Sequence, residues 1–338
     1  MNFLKMILTA IVASLLAAAP SRADDAAWAK VVAAAKSEGK VVVYNSANGA
    51  AYYAAVAKSF ETKYGIKVET FDSRASELSE RIRTEQAAGR FIGDLEQHSI
   101  ATIQRQMAES NVVQPLGDIP NAANLRPPFV ATETYVPAFV QAYGFLVNTS
   151  LVAPAEAPKV WADLLDPRWK GKILSDDTRA LGGGLTMFAV TAMTYGDDYQ
   201  RKLAAQDLVF SRDLRNDARR TARGEYPLYI PQMFAMASDL KGLPVKLMVP
   251  EDGSPYVPIA NAILRNAPHP NAARVFINHF LDLDAQIAYA NAWMVPVVKG
   301  AVEGADDDAK AVVGVKLMGA TPWEKQQAMM DLAKEIYK

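Results

Sequence analysis

Two periods of apolar residues alternate along the first third of the chain. Residues 26–37 (AAWAKVVAAAKS) have helical spacing, and the β-branched run Lys40–Tyr44 (KVVVY) is typical of a buried parallel strand. The same succession continues with a helix over 50–64, a strand over 66–71, a helix over 77–88, a strand at 93–95 and a polar tip at 96–99. Such a β-α-β-α-β run predicts a parallel sheet flanked by helices, and therefore an α/β fold.

The middle of the chain predicts a second unit. The apolar stretch Tyr135–Val147 is long enough for a strand that crosses between two lobes, and Tyr256–Leu264 could return the chain to the first lobe. Further strands are expected near 171–174 and 226–230, and helices over 184–193, 269–283, 284–292, 306–316 and 322–337. We therefore expect lobe 1 to contain residues 24–140 and 255–300, and lobe 2 to contain residues 141–254 and 301–338.

The first residues predict export. A positive start (MNFLK) is followed by an apolar run over 6–19, and small residues at Ser21 and Ala23 fit a signal-peptidase site. The run has about 14 residues, whereas a membrane span needs about 20. Residues 1–23 are therefore expected to be a cleaved signal peptide. The mature protein would be periplasmic and free of a lipid anchor, because no cysteine is available for one.

Composition and motifs exclude several function classes. With 36 Lys and Arg against 37 Asp and Glu, the chain has no basic excess for nucleic acid, and without cysteine it has no thiol chemistry. No GxSxG motif is present, and the three histidines have no metal-ligand spacing. A binding protein is therefore favoured over an enzyme. An exported α/β enzyme that acts on a small anion stays open as the alternative from another class.

Three predicted strand-to-helix loops, at 45–49, 72–76 and 175–184, carry small polar residues. Ligands of open α/β sheets bind at the carboxyl ends of the strands, where helix N-termini favour anions. Arg74 and Arg179 lie in two of these loops, and guanidinium groups pair well with carboxylate or phosphate. Taken singly, each small polar residue is better explained as a helix cap, and each arginine could equally lie in solvent. Together the loops predict one shared pocket, in which Gly183 lets the backbone approach the ligand.

Several segments together carry a family resemblance. They are KVVVYNSANG, FETKYGIKVE, SELSERIRTEQAAGRFIGDL, VWADLLDPRWKGKI, ARGEYPLYI and APHPNAARVFINHFL. In this order they resemble the periplasmic solute-binding proteins of ABC importers, in the group that contains the ferric-ion-binding proteins. The resemblance implies a two-lobed type II periplasmic binding fold that closes over its ligand. It also implies a monomer that works with a membrane permease and its ATPase, although a sensor could use the same closed form.

The chain departs from the ferric members of that group. They carry adjacent tyrosines shortly after the GE-containing segment, whereas this sequence has Gln232–Ala235 (QMFA) there. Iron is therefore not the favoured ligand, although a ferric-ion-binding transport protein stays an alternative, and neither a metal nor a cofactor is expected. A small anionic organic solute is favoured: an organophosphate, a phosphonate or a carboxylate. Asp176 and Asp177 favour, less strongly, a cationic or hydroxyl-bearing part.

The expected ligand-binding residues come from both lobes. The resemblance adds Arg215 and Asn216, which open a helix that points at the cleft in relatives, and Tyr256 near the hinge. The full set is Ser46, Asn48, Ser73, Arg74 and His98 in lobe 1, and Tyr143, Asp177, Arg179, Gly183, Arg215 and Asn216 in lobe 2, with Tyr256 between them.

Overall fold

The computed structural model describes residues 22–46 and 51–338. The predicted signal peptide therefore lies outside the described residues, apart from Arg22 and Ala23, which begin the first helix. No helix in the described part of the chain combines the length and apolar character needed to cross a membrane.

The β-α-β-α-β run predicted at the start of the first lobe is confirmed, because β1 pairs in parallel with both β2 and β3. The elements of this part are α1 (Arg22–Glu38), β1 (Lys40–Asn45), α2 (Ala51–Tyr64), β2 (Lys67–Asp72), α3 (Ala75–Ala87), β3 (Leu95–Ser99) and α4 (Ile100–Ser110). The polar tip expected at 96–99 is wrong, since these residues form strand β3. The polar side chains there find partners inside the sheet, as where the Gln97 amide donates to Asn261 Oδ1 at 3.0 Å.

The second lobe combines a mixed sheet with helices on its faces. Its strands are β4 (Tyr135–Asn148), β5 (Ile173–Asp176), β6 (Val209–Ser211), β7 (Leu228–Met233) and β8 (Val245–Met248). Its helices are α5 (Gly183–Tyr195), α6 (Asp197–Ala204), α7 (Leu214–Ala222) and α8 (Phe234–Ala237), with short 3-10 turns at Trp161–Leu165, Pro167–Trp169 and Ser238–Leu240. Another 3-10 turn, Pro120–Asn124, lies in the connection that precedes β4.

The chain then returns to the first lobe and ends on the second. The remaining elements are β9 (Ser254–Ile263), α9 (Pro270–Phe280), α10 (Leu283–Asn291), β10 (Val295–Pro296), α11 (Asp307–Val313), β11 (Leu317–Gly319) and α12 (Trp323–Ile336). The main strand order is β2-β1-β3-β9-β4-β7-β5-β6, and β9 runs antiparallel to both of its neighbours.

Strand β4 belongs to both sheets. Its first half, Tyr135–Ala142, pairs with β9, and its second half, Tyr143–Asn148, pairs with β7 and β8. The crossing strand expected over 135–147 is therefore present. One continuous strand therefore serves both sheets.

The two helices of the C-terminal segment 301–338, which the sequence assigns to lobe 2, pack in different places. Ala309, Val312 and Val313 on α11 are buried in the same core as Phe139 and Tyr289 of the first lobe. Helix α12 instead packs on α5 and α6 and also contacts α4 of the first lobe. The apolar positions of α11 match an existing apolar face there, and no composition signal marks that difference.

Candidate functional site

A cleft of about 640 Å³ lies where the two lobes meet. Its wall is built from the first turns of α3, α4 and α5, the adjoining parts of β4, β7 and β9, and the segment that leads into α12. This volume is within the range of sites that hold a small organic molecule. Each of the three strand-to-helix loops named above contributes a lining residue, namely Ser46, Ser76 and Gly182.

Helix N-termini supply much of this wall, but their backbone donors are partly occupied. At α4, the Ser99 hydroxyl accepts from the Thr102 backbone N–H at 3.2 Å, an N-cap. At α5, the Gly184 N–H donates to Asp176 Oδ2 at 2.6 Å. Burial raises the pKa of Asp176 to about 6, against the opposing effect of the N–H groups of Gly184 and Asp177. The N-terminus of α5 therefore already binds a carboxyl group of the chain itself, that of Asp176.

Arg105 is the arginine that lines the cleft among the described residues. It lies on α4 one turn after the N-terminus, and no hydrogen bond or ion pair joins its guanidinium to any described residue. Glu324, exposed at the start of α12, is the one carboxylate among the described lining residues. A guanidinium without a protein partner offers its N–H donors to a carboxylate or phosphate of a ligand.

Some hydroxyl groups beside Arg105 donate hydrogen bonds within the chain, and others are free to donate to a ligand. Those of Ser46 and Ser79 donate to backbone carbonyls, of Gln97 and Ala75 respectively, both at 2.9 Å. The Thr102 hydroxyl accepts from Ser99 Oγ at 2.9 Å, which leaves its own proton free. Ser76 makes no side-chain hydrogen bond with the described residues. Ser76, Thr102 and Arg105 therefore have side-chain donors that an anion can use on this wall.

His98 lines the cleft but is held by backbone. Its Nδ1 accepts from the Ser99 N–H at 2.8 Å, so Nε2 carries the proton and donates to the Ala75 carbonyl at 3.1 Å. Burial, with a smaller effect of Arg105, lowers its pKa to about 4, and the hydrogen bond to Ala75 opposes that shift. His98 is therefore neutral and ties β3 to α3, with no nitrogen left for a ligand.

The structure brings five of the expected residues to the cleft and leaves the others elsewhere. Asn48 lies outside the described residues. The residues that line the cleft are Ser46, His98, Tyr143, Gly183 and Tyr256. The residues that do not line it are Ser73, Arg74, Asp177, Arg179, Arg215 and Asn216.

Asp177 and Arg179 pair with each other instead of facing the cleft. Arg179 Nε lies 2.8 Å from Asp177 Oδ1, and Arg212 reaches the other carboxylate oxygen at 3.0 Å. Burial opposes ionisation of Asp177, but the hydrogen bonds from these arginines prevail and lower its pKa. Arg179 also donates to the Tyr337 carbonyl at 3.3 Å. The Arg179 guanidinium therefore binds the C-terminal segment at Tyr337.

The other expected polar residues serve helix starts or face solvent. The Ser73 hydroxyl donates to the Glu77 carboxylate, and the Asn216 backbone N–H donates to the capping Asp213 side chain at 3.3 Å. Arg74 is exposed and makes no capping hydrogen bond, and exposed Arg215 lies 3.8 Å from Asp239. None of these four residues lines the cleft.

Sequence reasoning missed the residues of α4. That helix follows β3 without a loop, so no turn signal separates the two elements. A signal was nevertheless present: Ser99 stands before Ile100, Ile103 and Met107, an N-cap residue ahead of apolar residues at helical spacing. It would have placed Arg105 on a helix that starts at the carboxyl end of a strand.

The position of the missing tyrosine pair is apolar. Met233 lines the cleft, and Phe234 is fully buried beside it. Within residues 22–46 and 51–338, no three His, Cys, Asp or Glu side chains are grouped so that they could hold a metal ion.

A Ser–His–Asp series, which the sequence did not reveal, lies away from the cleft. His279 Nε2 is 2.8 Å from Ser59 Oγ, and its Nδ1 is 2.9 Å from Asp282 Oδ2. Asp282 also binds Lys63 at 2.7 Å. Since the Ser59 hydroxyl is also 2.9 Å from the Val56 carbonyl, the series fastens α2 against α9.

Comparison with known proteins gives a consistent set of relatives. The family described as bacterial extracellular solute-binding protein matches residues 92–316. An uncharacterised protein of Haemophilus influenzae is 26% identical over 279 residues, which cover 77% of this chain and 78% of the relative.

Solved structures share the fold at low sequence identity. Iron-bound HitA from Pseudomonas aeruginosa has a TM-score of 0.72 and 20% identity, covering 88% of this chain and 99% of its own. AfuA from Actinobacillus pleuropneumoniae, with exogenous fructose-6-phosphate bound, has a TM-score of 0.65 and 23% identity, covering 88% and 96%. At these identities the likeness establishes a two-lobed type II periplasmic binding fold.

Proposed function

Because the chain belongs to the bacterial extracellular solute-binding proteins, we propose that it captures a small anionic organic solute in the cleft between its lobes. The solute would be an organophosphate, a phosphonate or a carboxylate. Proteins of this family are receptors of ABC transport that deliver small ligands to permeases, and they are not enzymes.

The observation that carries this proposal is the unpaired Arg105. A charged group without a partner is costly when a closing cleft removes it from water, and a ligand of opposite charge removes that cost. Ser76 and Thr102 add neutral donors from the first turns of α3 and α4. The opposing Glu324 lies exposed at the edge of the cleft, where it could accept from a hydroxyl or amino group of the same solute.

Two relatives carry different ligands, iron in HitA and fructose-6-phosphate in AfuA. The lining of this cleft supports an anion over a ferric ion. The resemblance implies a tyrosine pair near Gln232–Ala235 in ferric members, and Met233 of this segment lines the cleft instead. The described residues contain no group of three His, Cys, Asp or Glu side chains that could hold a metal ion.

Closure follows from the position of the ligand. A solute bound by α3 and α4 of lobe 1 that also touches α5 of lobe 2 stabilises the closed arrangement more than the open one. The closed form would be the one that docks on the permease, whose ATPase then drives import. We place the receptor in the periplasm as a monomer, in line with the predicted signal peptide and the resemblance.

The test is a thermal-unfolding screen of the wild-type chain and Arg105→Gln with organophosphates, phosphonates, dicarboxylates and ferric citrate. A ligand at about 1,000 times its Kd adds roughly 4 kcal/mol to stability, which raises Tm by several degrees. Arg105→Gln should weaken binding about 10- to 100-fold, because a charge-assisted hydrogen bond is lost. Its own fold should be unaffected.

The matched control is Arg74→Gln, which removes an exposed arginine that does not line the cleft. It should bind the same anion as the wild type. Equal losses in both variants, or a shift with ferric ion alone, would contradict the proposal.

A further inference from the structure

The two walls of the cleft differ in chemistry. The lobe 1 wall carries the available donors Ser76, Thr102 and Arg105, all on the first two turns of α3 and α4. An acid group bound there is held by one side of the cleft only. The rest of the solute then faces the wall of lobe 2.

That second wall carries several apolar side chains. Leu181, Leu214 and Met233 project from three different elements of lobe 2 into the cleft, beside the ring of Tyr143. Leu181 is 61% exposed, so its side chain is accessible to a ligand. Single exposed leucines are common on protein surfaces, but here three apolar side chains converge on one cavity.

Two polar groups at this wall are engaged within the chain. The Thr186 hydroxyl donates to the Gly182 carbonyl at 3.0 Å, and the Gly184 N–H is bound by Asp176. Those two donors are therefore not free for the hydroxyls of a sugar-like body. The Tyr143 hydroxyl, which makes no hydrogen bond with the described residues, is a polar group left on this wall. A polyhydroxylated solute would place its hydroxyls against Leu181 and Met233, where they lose water without gaining partners.

We infer that the solute is amphiphilic: its acid group binds Arg105 on lobe 1, and an apolar body, aromatic or branched, packs against Leu181, Leu214 and Met233 on lobe 2. This inference rests on the proposed function and narrows its ligand class. The cavity of about 640 Å³ exceeds what a bare inorganic anion fills, which agrees with an organic body of substantial size. Closure would then bury the apolar wall, so binding should have a negative heat-capacity change.

Calorimetric titration of the full chain with two matched pairs of probes tests the inference. The pairs are phenyl phosphate against glucose 6-phosphate, and phenylacetate against gluconate, so that the acid group is constant and the body changes. In the pair whose acid group binds, the apolar probe should bind at least about tenfold more tightly. Leu181→Ser should weaken that probe severalfold and leave its polyhydroxylated partner unchanged.

Two variants separate the possible outcomes. Leu243→Ser removes a leucine that is 46% exposed but does not line the cleft, and it should bind all probes as the wild type does. Arg105→Gln should weaken both members of the pair. If the polyhydroxylated probe binds more tightly, or Leu181→Ser changes neither, the apolar body is refuted while the Arg105-dependent anion receptor stands. If no probe binds, or binding is independent of Arg105, the proposed function fails as well.

Discussion

Two arginines of this protein, Arg179 and Arg105, differ in whether their guanidinium groups have partners within the chain. Arg179 is paired with Asp177 and bound to the Tyr337 carbonyl, and its guanidinium lies 4.8 Å from the ring centre of Phe210. Arg105 has none of these partners and faces the cleft. The sequence context favoured Arg179, because it precedes three glycines. Arg179 does not line the cleft because it pairs with Asp177, two residues before it.

Glu96 makes the stability of the protein depend on pH. Its side chain is fully buried on β3, and burial raises its pKa from 4.5 to about 8, opposed in part by a hydrogen bond from Gln106. A carboxyl group whose pKa is higher in the folded state binds more protons there, so stability falls as pH rises between these values. The free energy of unfolding should fall by up to about 1.4 kcal/mol per pH unit in the wild type. Glu96→Gln should remove this decline. Urea unfolding of both chains from pH 5 to pH 8 measures it.

The control for this variant is Glu77→Gln. Glu77 is exposed, and its hydrogen bond from Ser73 lowers its pKa, so removing it should change the pH dependence only below about pH 4.5. Parallel stability profiles of Glu96→Gln and the wild type between pH 5 and pH 8 would show that Glu96 is ionised in the fold.

At the scale of elements, apolar periodicity predicted the long helices and the buried strands. It missed helix α4 and the full length of strand β3. Helices α1, α2 and α9 are close to their predicted ranges because each has an apolar face and a clear end. Helix α4 was missed because β3 passes into it directly. Strand β3 was shortened because its polar residues are paired within the sheet, a tertiary effect that the local pattern does not contain.

The docking of α5 on β5 depends on Gly184. A Cβ atom there would lie 2.8 Å from the carbonyl carbons of both Asp176 and Asp177, so the backbone would have to move. Gly184→Ala should lower the free energy of unfolding by about 1–3 kcal/mol. In Gly319→Ala the nearest atom to the added Cβ is Val190 Cγ1 at 3.6 Å, an ordinary contact. Equal stability of the two variants in urea would contradict this account of the helix start.

At the scale of the molecule, the chain crosses between lobes on β4 and returns on β9, so both lobes share a pair of strands. The sequence predicted these crossings because both runs are apolar and long. It could not predict which loop residues meet, since partners such as Arg179 and Tyr337 are 158 positions apart. Five expected residues reach the cleft, and the arginine that reaches it was not among them.

The central claim is that the cleft holds a small organic acid through Arg105. Native mass spectrometry of the exported protein, followed by chemical identification of what it releases on denaturation, tests this most directly. We expect the wild-type chain to carry a molecule with a phosphoryl, phosphonyl or carboxyl group, and Arg105→Gln to carry little or none of it. Bound iron, or a cationic or uncharged molecule held equally by both chains, would contradict the claim.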